Sequence, residues 1–240
     1  HLESMFVYAF KLENGEGIQM DKKMAFHYYK LAIDKGHLDS MYNYACMLLF
    51  CKEIEQNIPA AFEYFKIAAN RGHMLSMYNC AHMLKYGMGT EKNHYEALKY
   101  YKMAADKGHV PSMYIYACIV FKGEGVDINK EEGAKYFKFA ADRGNLDSIH
   151  NYALCLINGE GGVQINKKEA LEYLQYAINK GHLDSIHTYA EVLYNGFGIE
   201  MDKRKAAEFF KNAADRGHLK SMHSYASMIE IGDGIEMNKK

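Results

Sequence analysis

Histidines recur in this chain at a spacing that first suggests chemistry, because histidine commonly serves acid–base catalysis and metal binding near neutral pH. Gly-His pairs stand at 36–37, 72–73, 108–109, 181–182 and 217–218. At the corresponding place between the third and fourth of these pairs the sequence has Gly144-Asn145. A catalytic histidine would not be repeated at every period, so we expect these residues to lie in structural turns. The group comprises His1, His37, His73, His109, His182 and His218.

The glycines of these pairs define a repeat, because successive ones are 36, 36, 36, 37 and 36 residues apart. A fixed period in this range is typical of solenoids and repeat arrays. A seventh, half-length repeat (218–240) follows six full repeats, which are 1–36, 37–72, 73–108, 109–144, 145–181 and 182–217. Positions within a repeat are numbered from its histidine, or from Asn145, as position 1.

Three further histidines occupy position 6 of consecutive repeats and suggest a metal site: His150, His187 and His223. Packed helices lie about 8–10 Å apart, whereas zinc–nitrogen bonds are about 2.0–2.1 Å long. Histidines on three successive repeats therefore cannot converge on one ion, and we expect no metal and no other cofactor. A histidine stripe that tunes partner binding below pH ~6.5 is the alternative.

A G-x-G pattern in the middle of most repeats suggests phosphate binding. That function requires a third glycine, a preceding strand or a following Lys-Ser or Lys-Thr, none of which accompanies the pattern. Two glycines so close together predict instead the end of one helix and a turn. The second repeat reads FCKEIEQNIP at this point, so we expect a different loop there, with Pro59 near the next helix start.

Two helices per repeat follow from the remaining pattern. Apolar residues at positions 2, 5, 8, 9 and 12 predict the buried face of a first helix. Position 21 carries residues that favour the N-cap of a second helix: Asp21, Asn57, Asn93, Asn129, Asn166, Asp202 and Asn238. Capping boxes are predicted for three pairs: Asn93/Glu96, Asn129/Glu132 and Asn166/Glu169.

The composition favours a soluble, intracellular protein. The charged fraction is 25% and the hydrophobic fraction 49%, both ordinary for a globular chain. No apolar run approaches the ~18 residues of a membrane span, and no signal peptide is visible. The net charge of −1 does not favour nucleic-acid binding. We therefore expect neither a nucleic acid nor a membrane as partner.

The repeat resembles the Sel-one-like repeat (SLR), a relative of the tetratricopeptide repeat. The fourth repeat, HVPSMYIYACIVFKGEGVDINKEEGAKYFKFAADRG, matches the family pattern from its histidine through G-x-G to the final glycine. Departures are Ser at position 4, where the family has Ala, and mostly Tyr-Ala at positions 8–9 for Leu-Gly. The resemblance implies an all-α fold, a right-handed α-solenoid superhelix of about six and a half helix-turn-helix repeats, with residues 1–240 forming one solenoid.

Cysteine placement distinguishes this chain from some secreted SLR proteins, in which a disulfide joins the two helices of each repeat. The second helices here contain no cysteine. We expect buried, reduced thiols and a cytoplasmic location. The thiols are Cys46, Cys51, Cys80, Cys118 and Cys155.

The resemblance also implies a non-catalytic scaffold or adaptor that presents a concave groove to a protein or peptide. We predict that positions 6 and 7 of the first helices line this groove, because tyrosine offers contact area and asparagine can bond a peptide backbone. The predicted residues are Tyr42, Asn43, Tyr78, Asn79, Tyr114, His150, Asn151, His187 and His223. The alternative is that position 6 packs on the neighbouring repeat and position 7 bonds its own array.

Two other functions stay open: a structural spacer in a large assembly, or an array that positions substrates for an attached catalytic domain such as a kinase. We expect the chain to be a piece of a longer protein, since it opens on HLES, the first residues of a repeat, without an initiator Met and stops at MNKK, where a helix should begin. Uncapped ends expose apolar helix faces, so end-to-end self-association is also expected.

Overall fold

The computed structural model describes residues 2–234, which form thirteen α-helices and contain no strand. The all-α fold and the two helices per repeat are therefore confirmed. None of these helices is both long and apolar enough to cross a bilayer. The helices are α1 Leu2–Asn14, α2 Lys22–Ile33, α3 Leu38–Phe50, α4 Ile58–Asn70, α5 Met74–Tyr86, α6 His94–Asp106, α7 Val110–Lys122, α8 Lys130–Ala141, α9 Leu146–Asn158, α10 Lys167–Asn179, α11 Leu183–Asn195, α12 Lys203–Asp215 and α13 Leu219–Ile231.

The chain divides into two compact units, His1–Tyr116 (unit 1) and Ala117–Lys240 (unit 2), with the boundary inside α7. Odd-numbered helices are the first helices of the repeats and even-numbered helices are the second helices. Within unit 1, α1 packs on α2 and α2 packs on α3, and this alternation continues to α5 and α6. In unit 2 each helix from α8 to α13 likewise packs on the next one along the chain. The single solenoid over 1–240 stays a prediction.

Small residues let these helices approach closely. Position 9 is alanine in every repeat, and Ala45 and Ala81 of unit 1 and Ala153 and Ala190 of unit 2 are fully buried. The second helices present large rings to the same core, of which Phe65 is fully buried. Burying such a ring contributes roughly 1.5–3 kcal/mol, so the core is a series of alanine contacts and aromatic rings.

The predicted N-caps of the second helices are confirmed. Each side chain at position 21 accepts a hydrogen bond from the backbone N–H three residues later, as Asn93 does from Glu96 at 3.0 Å. The same cap is made by Asp21, Asn57, Asn129, Asn166 and Asp202. Asn238 and His1 lie outside the described residues.

The capping boxes differ from the prediction in their second bond. In a capping box the glutamate accepts from the backbone N–H of the N-cap residue. Here that N–H donates to the end of the first helix, as Asn166 N does to Leu156 O at 2.9 Å. Glu169 instead accepts from the Asn166 side-chain amide at 2.9 Å, and Glu132 accepts similarly from Asn129 at 3.4 Å. The backbone donor is unavailable because it joins the two helices of the repeat.

The G-x-G turns follow the prediction that they end the first helices. Gly87 caps α5 with φ of 71°, a left-handed conformation that glycine adopts without strain. The next glycine, Gly89, lies against the start of α4, where an added Cβ would stand 2.7 Å from the Ile58 carbonyl. In the second repeat α3 ends instead at Cys51 in an extended conformation, and Pro59 stands in the first turn of α4.

Candidate partner-binding surface

The histidines of the Gly-His pairs cap the first helices. In His73 the ring Nδ1 accepts a hydrogen bond from the Ser76 N–H at 3.2 Å and lies 2.8 Å from the Ser76 hydroxyl. Asn145 makes the same cap through its side-chain oxygen, 2.8 Å from Ser148 N. Among the described residues, these histidines therefore have the structural role that the sequence predicts. The remaining histidine caps are His37, His109, His182 and His218.

The other ring nitrogen reaches the preceding repeat. Because Nδ1 accepts from a backbone N–H, a neutral ring carries its proton on Nε2. Nε2 then donates to a carboxylate at position 3 of the preceding repeat, so one side chain starts its own helix and joins two repeats. These pairs are His73–Asp39 at 3.1 Å, His182–Asp147 at 3.3 Å and His218–Asp184 at 3.1 Å.

Serine, histidine and aspartate thus lie together, as in a hydrolase triad, but the geometry differs. A triad histidine accepts from a serine whose hydroxyl faces the substrate. Here the Ser76 and Ser185 hydroxyls are 0% exposed, and each shares its histidine nitrogen with a backbone N–H. Buried hydroxyls cannot reach a substrate, so these groupings are helix caps.

The aromatic residues at position 6 are half-buried and lie over the cap histidine of the next repeat. Tyr42 and His73 have ring centroids 5.1 Å apart, and Tyr78 and His109 are 5.0 Å apart. His150 and His187 take the same place in unit 2, over His182 and His218 respectively. His187 is only 8% exposed, whereas Tyr114 is half-buried and His223 is exposed.

The asparagines at position 7 are half-buried, and each makes one hydrogen bond within the array. Asn43 donates to the hydroxyl of Tyr29 at 3.0 Å, and Asn151 donates to the Asp147 carbonyl of its own helix at 2.7 Å. Asn79 bonds the hydroxyl of Tyr42, whose pKa burial raises to about 12. An amide has two donors and an acceptor, so each keeps groups that a partner could use.

A column of rings runs along α5 from the core to the surface. Tyr78 lies 6.3 Å from His82, and His82 lies 4.6 Å from Tyr86 between ring centroids. Tyr86 at position 14 is 59% exposed, and Phe50 at position 14 of the preceding repeat is 74% exposed. Sequence reasoning missed both residues, although a large aromatic ring at position 14, near the end of a first helix, was a visible signal.

In unit 2 the corresponding surface between α11 and α13 contains a cavity of about 330 Å³. Its lining includes Phe210 beneath and Glu191, Asn195, His223 and Ser224 around it. The hydrogen bond from His187 lowers the pKa of Glu191, against the opposing effect of burial. The cavity therefore offers an apolar floor with a charged rim. His223 and Ser224 stand at positions 6 and 7, which the sequence predicts to line the surface. Glu191 was missed because the side chain at position 10 varies between repeats.

No group of three or more metal-binding side chains is found within residues 2–234. All five cysteines are free thiols. Burial raises the pKa of Cys46 and Cys155 to about 11, which disfavours the reactive thiolate.

Comparison with known proteins identifies the repeats. The family model described as Sel1 repeat matches residues 2–37, 38–73, 75–109, 110–145, 146–182 and 185–218. No curated protein matches this sequence. Sel1 repeats generally mediate protein–protein interactions.

Two solved structures share the fold. One is c5321, a protective antigen present in uropathogenic Escherichia coli strains and displaying an SLR fold, with a TM-score of 0.89 at 21% identity. That match covers 99% of this chain but only 51% of c5321, so the chain spans about half the length of that relative. The other is a Sel1 repeat protein from Oxalobacter formigenes, with a TM-score of 0.69 at 20% identity, covering 89% of this chain and 85% of that one. With six matched repeats across most of its length, the chain belongs to the Sel1 repeat family.

Proposed function

We propose that this chain is a non-catalytic scaffold that binds a partner protein or peptide along positions 6, 7, 10 and 14 of its first helices. The observation that carries the proposal is the ring column of Tyr78, His82 and Tyr86, which leads to strongly exposed rings at Tyr86 and Phe50. Exposed aromatic rings are enriched at the energetic centres of protein interfaces. Without a partner, such rings would expose apolar surface to water.

The polar groups beside these rings suit an extended segment. Asn43 and Asn79 each have further amide groups next to the rings, which can bond a peptide backbone. In unit 2 the cavity with Phe210 and Glu191 suits one apolar or basic side chain of the partner. His187 contributes by holding Glu191 and not by direct contact, since its ring is buried.

The test is affinity capture followed by mass spectrometry, with three baits. These are the unaltered chain, a Phe50→Ala/Tyr86→Ala variant, and Tyr95→Ala as the matched control, since Tyr95 is an exposed aromatic residue on a second helix. We expect a protein that the unaltered chain and the control retain and the double variant loses. Equal retention of the protein by all three baits would indicate that the partner contacts another surface, contrary to the proposal.

A second set of baits tests the polar groups. Asn43→Ala, Asn79→Ala and Asn151→Ala are combined, and circular dichroism establishes that the triple variant is folded. We expect a folded variant with at least tenfold weaker retention of the same protein. Unchanged retention would remove position 7 from the binding surface.

One observation favours a second function, a spacer that associates end to end. Met222 and Ile229 on α13 are 41% and 49% exposed, whereas Met77 and Leu84 at the same positions of α5 are buried. Exposed apolar faces of this kind favour association. Sedimentation is expected to show concentration-dependent dimers that Met222→Glu abolishes, and a strict monomer at high concentration would remove this candidate.

The free thiols support a reducing compartment such as the cytoplasm as the site of action. A cysteine-specific mass shift on protein purified from cells, with and without reductant, tests this point. We expect no disulfide in either sample.

A further inference from the structure

The contacts between neighbouring first helices contain different side chains in the two units. In unit 1 a phenylalanine or tyrosine at position 6 lies over the cap histidine, as Tyr42 does over His73. In unit 2 a second histidine takes that place: the ring centroids of His150 and His182 are 5.8 Å apart. Tyrosine does not titrate near neutral pH, whereas histidine does. Unit 2 thus pairs two rings that can titrate near neutral pH, whereas the corresponding pairs of unit 1 contain one.

His150 on α9 has no carboxylate in contact with it. Its Nε2 bonds the Thr188 hydroxyl of α11 at 3.0 Å. The charged and ionisable groups around it are Asp147 on its own helix, His182 at the start of α11, Asp184 and Glu191 on α11, and Lys220 on α13. Both aspartates accept hydrogen bonds from other rings, Asp147 from His182 and Asp184 from His218. A proton on His150 would therefore lie half-buried beside a second histidine, without a direct counter-ion.

The neighbouring contact between α11 and α13 contains a matched internal control. His187 also lies over a cap histidine, His218, at 5.0 Å between ring centroids. Its Nε2, however, lies 3.5 Å from the Glu191 carboxylate of the same helix, and its Nδ1 lies 3.0 Å from the Ser221 hydroxyl. A proton on His187 would meet a carboxylate in contact, so this second contact should tolerate acid.

We propose that protonation of His150 opens the contact between α9 and α11, so that mild acid loosens these two first helices while the α11–α13 contact persists. Desolvation in the closed contact lowers the pKa of His150 to about 4, against the attraction of the nearby aspartates, so the closed contact disfavours the proton. An opened, solvated histidine has a pKa near 6.5. The opening equilibrium should then rise about tenfold between pH 7.5 and 5.5. The device requires no partner, because all of its groups belong to this chain.

The matched variant places in unit 2 the pair of side chains that stands at the corresponding positions of unit 1. Tyr42 at position 6 bonds Asn79 at position 7 of the next repeat, and His150 and Thr188 occupy the same two positions. His150→Tyr/Thr188→Asn therefore replaces the His150–Thr188 pair by a Tyr–Asn pair that this chain already uses and that does not titrate near neutral pH. His187→Tyr is the control, because it removes a histidine whose proton Glu191 can balance.

The measurement is hydrogen exchange by mass spectrometry at pH 7.5 and 5.5, corrected for the intrinsic dependence of exchange on pH. We expect about a tenfold rise in opening for peptides of α9 and the first turns of α11 in the unaltered chain and in His187→Tyr. The double variant should change less than twofold. An equal pH response in the double variant and the unaltered chain would overturn the proposal.

NMR titration of the His150 imidazole in the unaltered chain provides a second, independent test of the proposal if the double variant does not fold. The His150 ring should remain neutral at pH 5.5 in the closed state. A ring that titrates near pH 6.5 without loss of exchange protection would overturn the proposal.

Discussion

Ser76 and Ser148 form a natural comparison for what a cap hydroxyl contributes. Both stand at position 4 of a first helix and both are 0% exposed. The Ser76 hydroxyl bonds the His73 ring at 2.8 Å, whereas the Ser148 hydroxyl, beside Asn145, has no hydrogen-bond partner among the described residues. Replacing each serine by alanine changes the same atoms at the same position, so differences in helix propensity and packing cancel between the two variants.

Ser76→Ala should lower the free energy of unfolding by about 1 kcal/mol, the net value of one hydrogen bond. Ser148→Ala should raise it by about 1 kcal/mol, because it removes a buried hydroxyl that lost its water and gained no partner. The expected difference is about 2 kcal/mol. For a chain of this size that corresponds to about 4–8 °C in Tm.

Urea unfolding followed by circular dichroism measures the difference, provided that the slope is unchanged between the variants. Asn145→His serves as a further check, because it supplies the missing ring and should make Ser148→Ala costly in that background. Equal destabilisation by Ser76→Ala and Ser148→Ala would refute the reasoning, since the hydroxyls would then contribute through packing alone.

Three other outcomes are expected. In thermal unfolding, Gly89→Ala should destabilise the protein by about 1–3 kcal/mol more than Gly17→Ala. Both glycines have positive φ, but of the two only Gly89 has backbone within 3 Å of an added Cβ. Equal destabilisation by the two variants would contradict this close approach. Because His150 has a lowered pKa of about 4 in the folded protein, its contribution to stability is complete above pH 6.5 and is lost as pH falls towards 4. The loss is about 3 kcal/mol, and urea unfolding across this range, which should flatten in His150→Tyr/Thr188→Asn, measures it. Iodoacetamide at pH 8 should modify Cys51 before Cys80, whose pKa burial raises to about 12; peptide mass spectrometry gives the order, and earlier labelling of Cys80 would contradict its burial.

The fold was predictable from the sequence because its signals are local and repeated. A cap residue such as Asn93 and a helix-ending glycine such as Gly87 act within a few residues of themselves, and the structure has both as expected. The capping boxes were only half predictable. Their backbone donor is used by a carbonyl ten residues earlier, as Asn166 N is by Leu156 O, which no local pattern reports.

The candidate surface was less predictable, because its properties depend on neighbours in the next repeat. His150 and His187 occupy the same position in the sequence pattern. Only the structure shows that Glu191 lies beside one of them, whereas no carboxylate contacts the other. Burial likewise separates His187 from the exposed His223, and it follows from the packing of whole helices.

The cap histidines also set an order in which neighbouring repeats can form their contacts. His73 needs Asp39 for its second hydrogen bond, and His182 needs Asp147, so each partner carboxylate lies about 35 residues closer to the N-terminus. Domains generally fold from the N-terminus during synthesis. When a cap histidine leaves the ribosome, its acceptor on the preceding repeat is therefore already available. Each newly made repeat can dock on a finished template, which suits vectorial assembly from the ribosome.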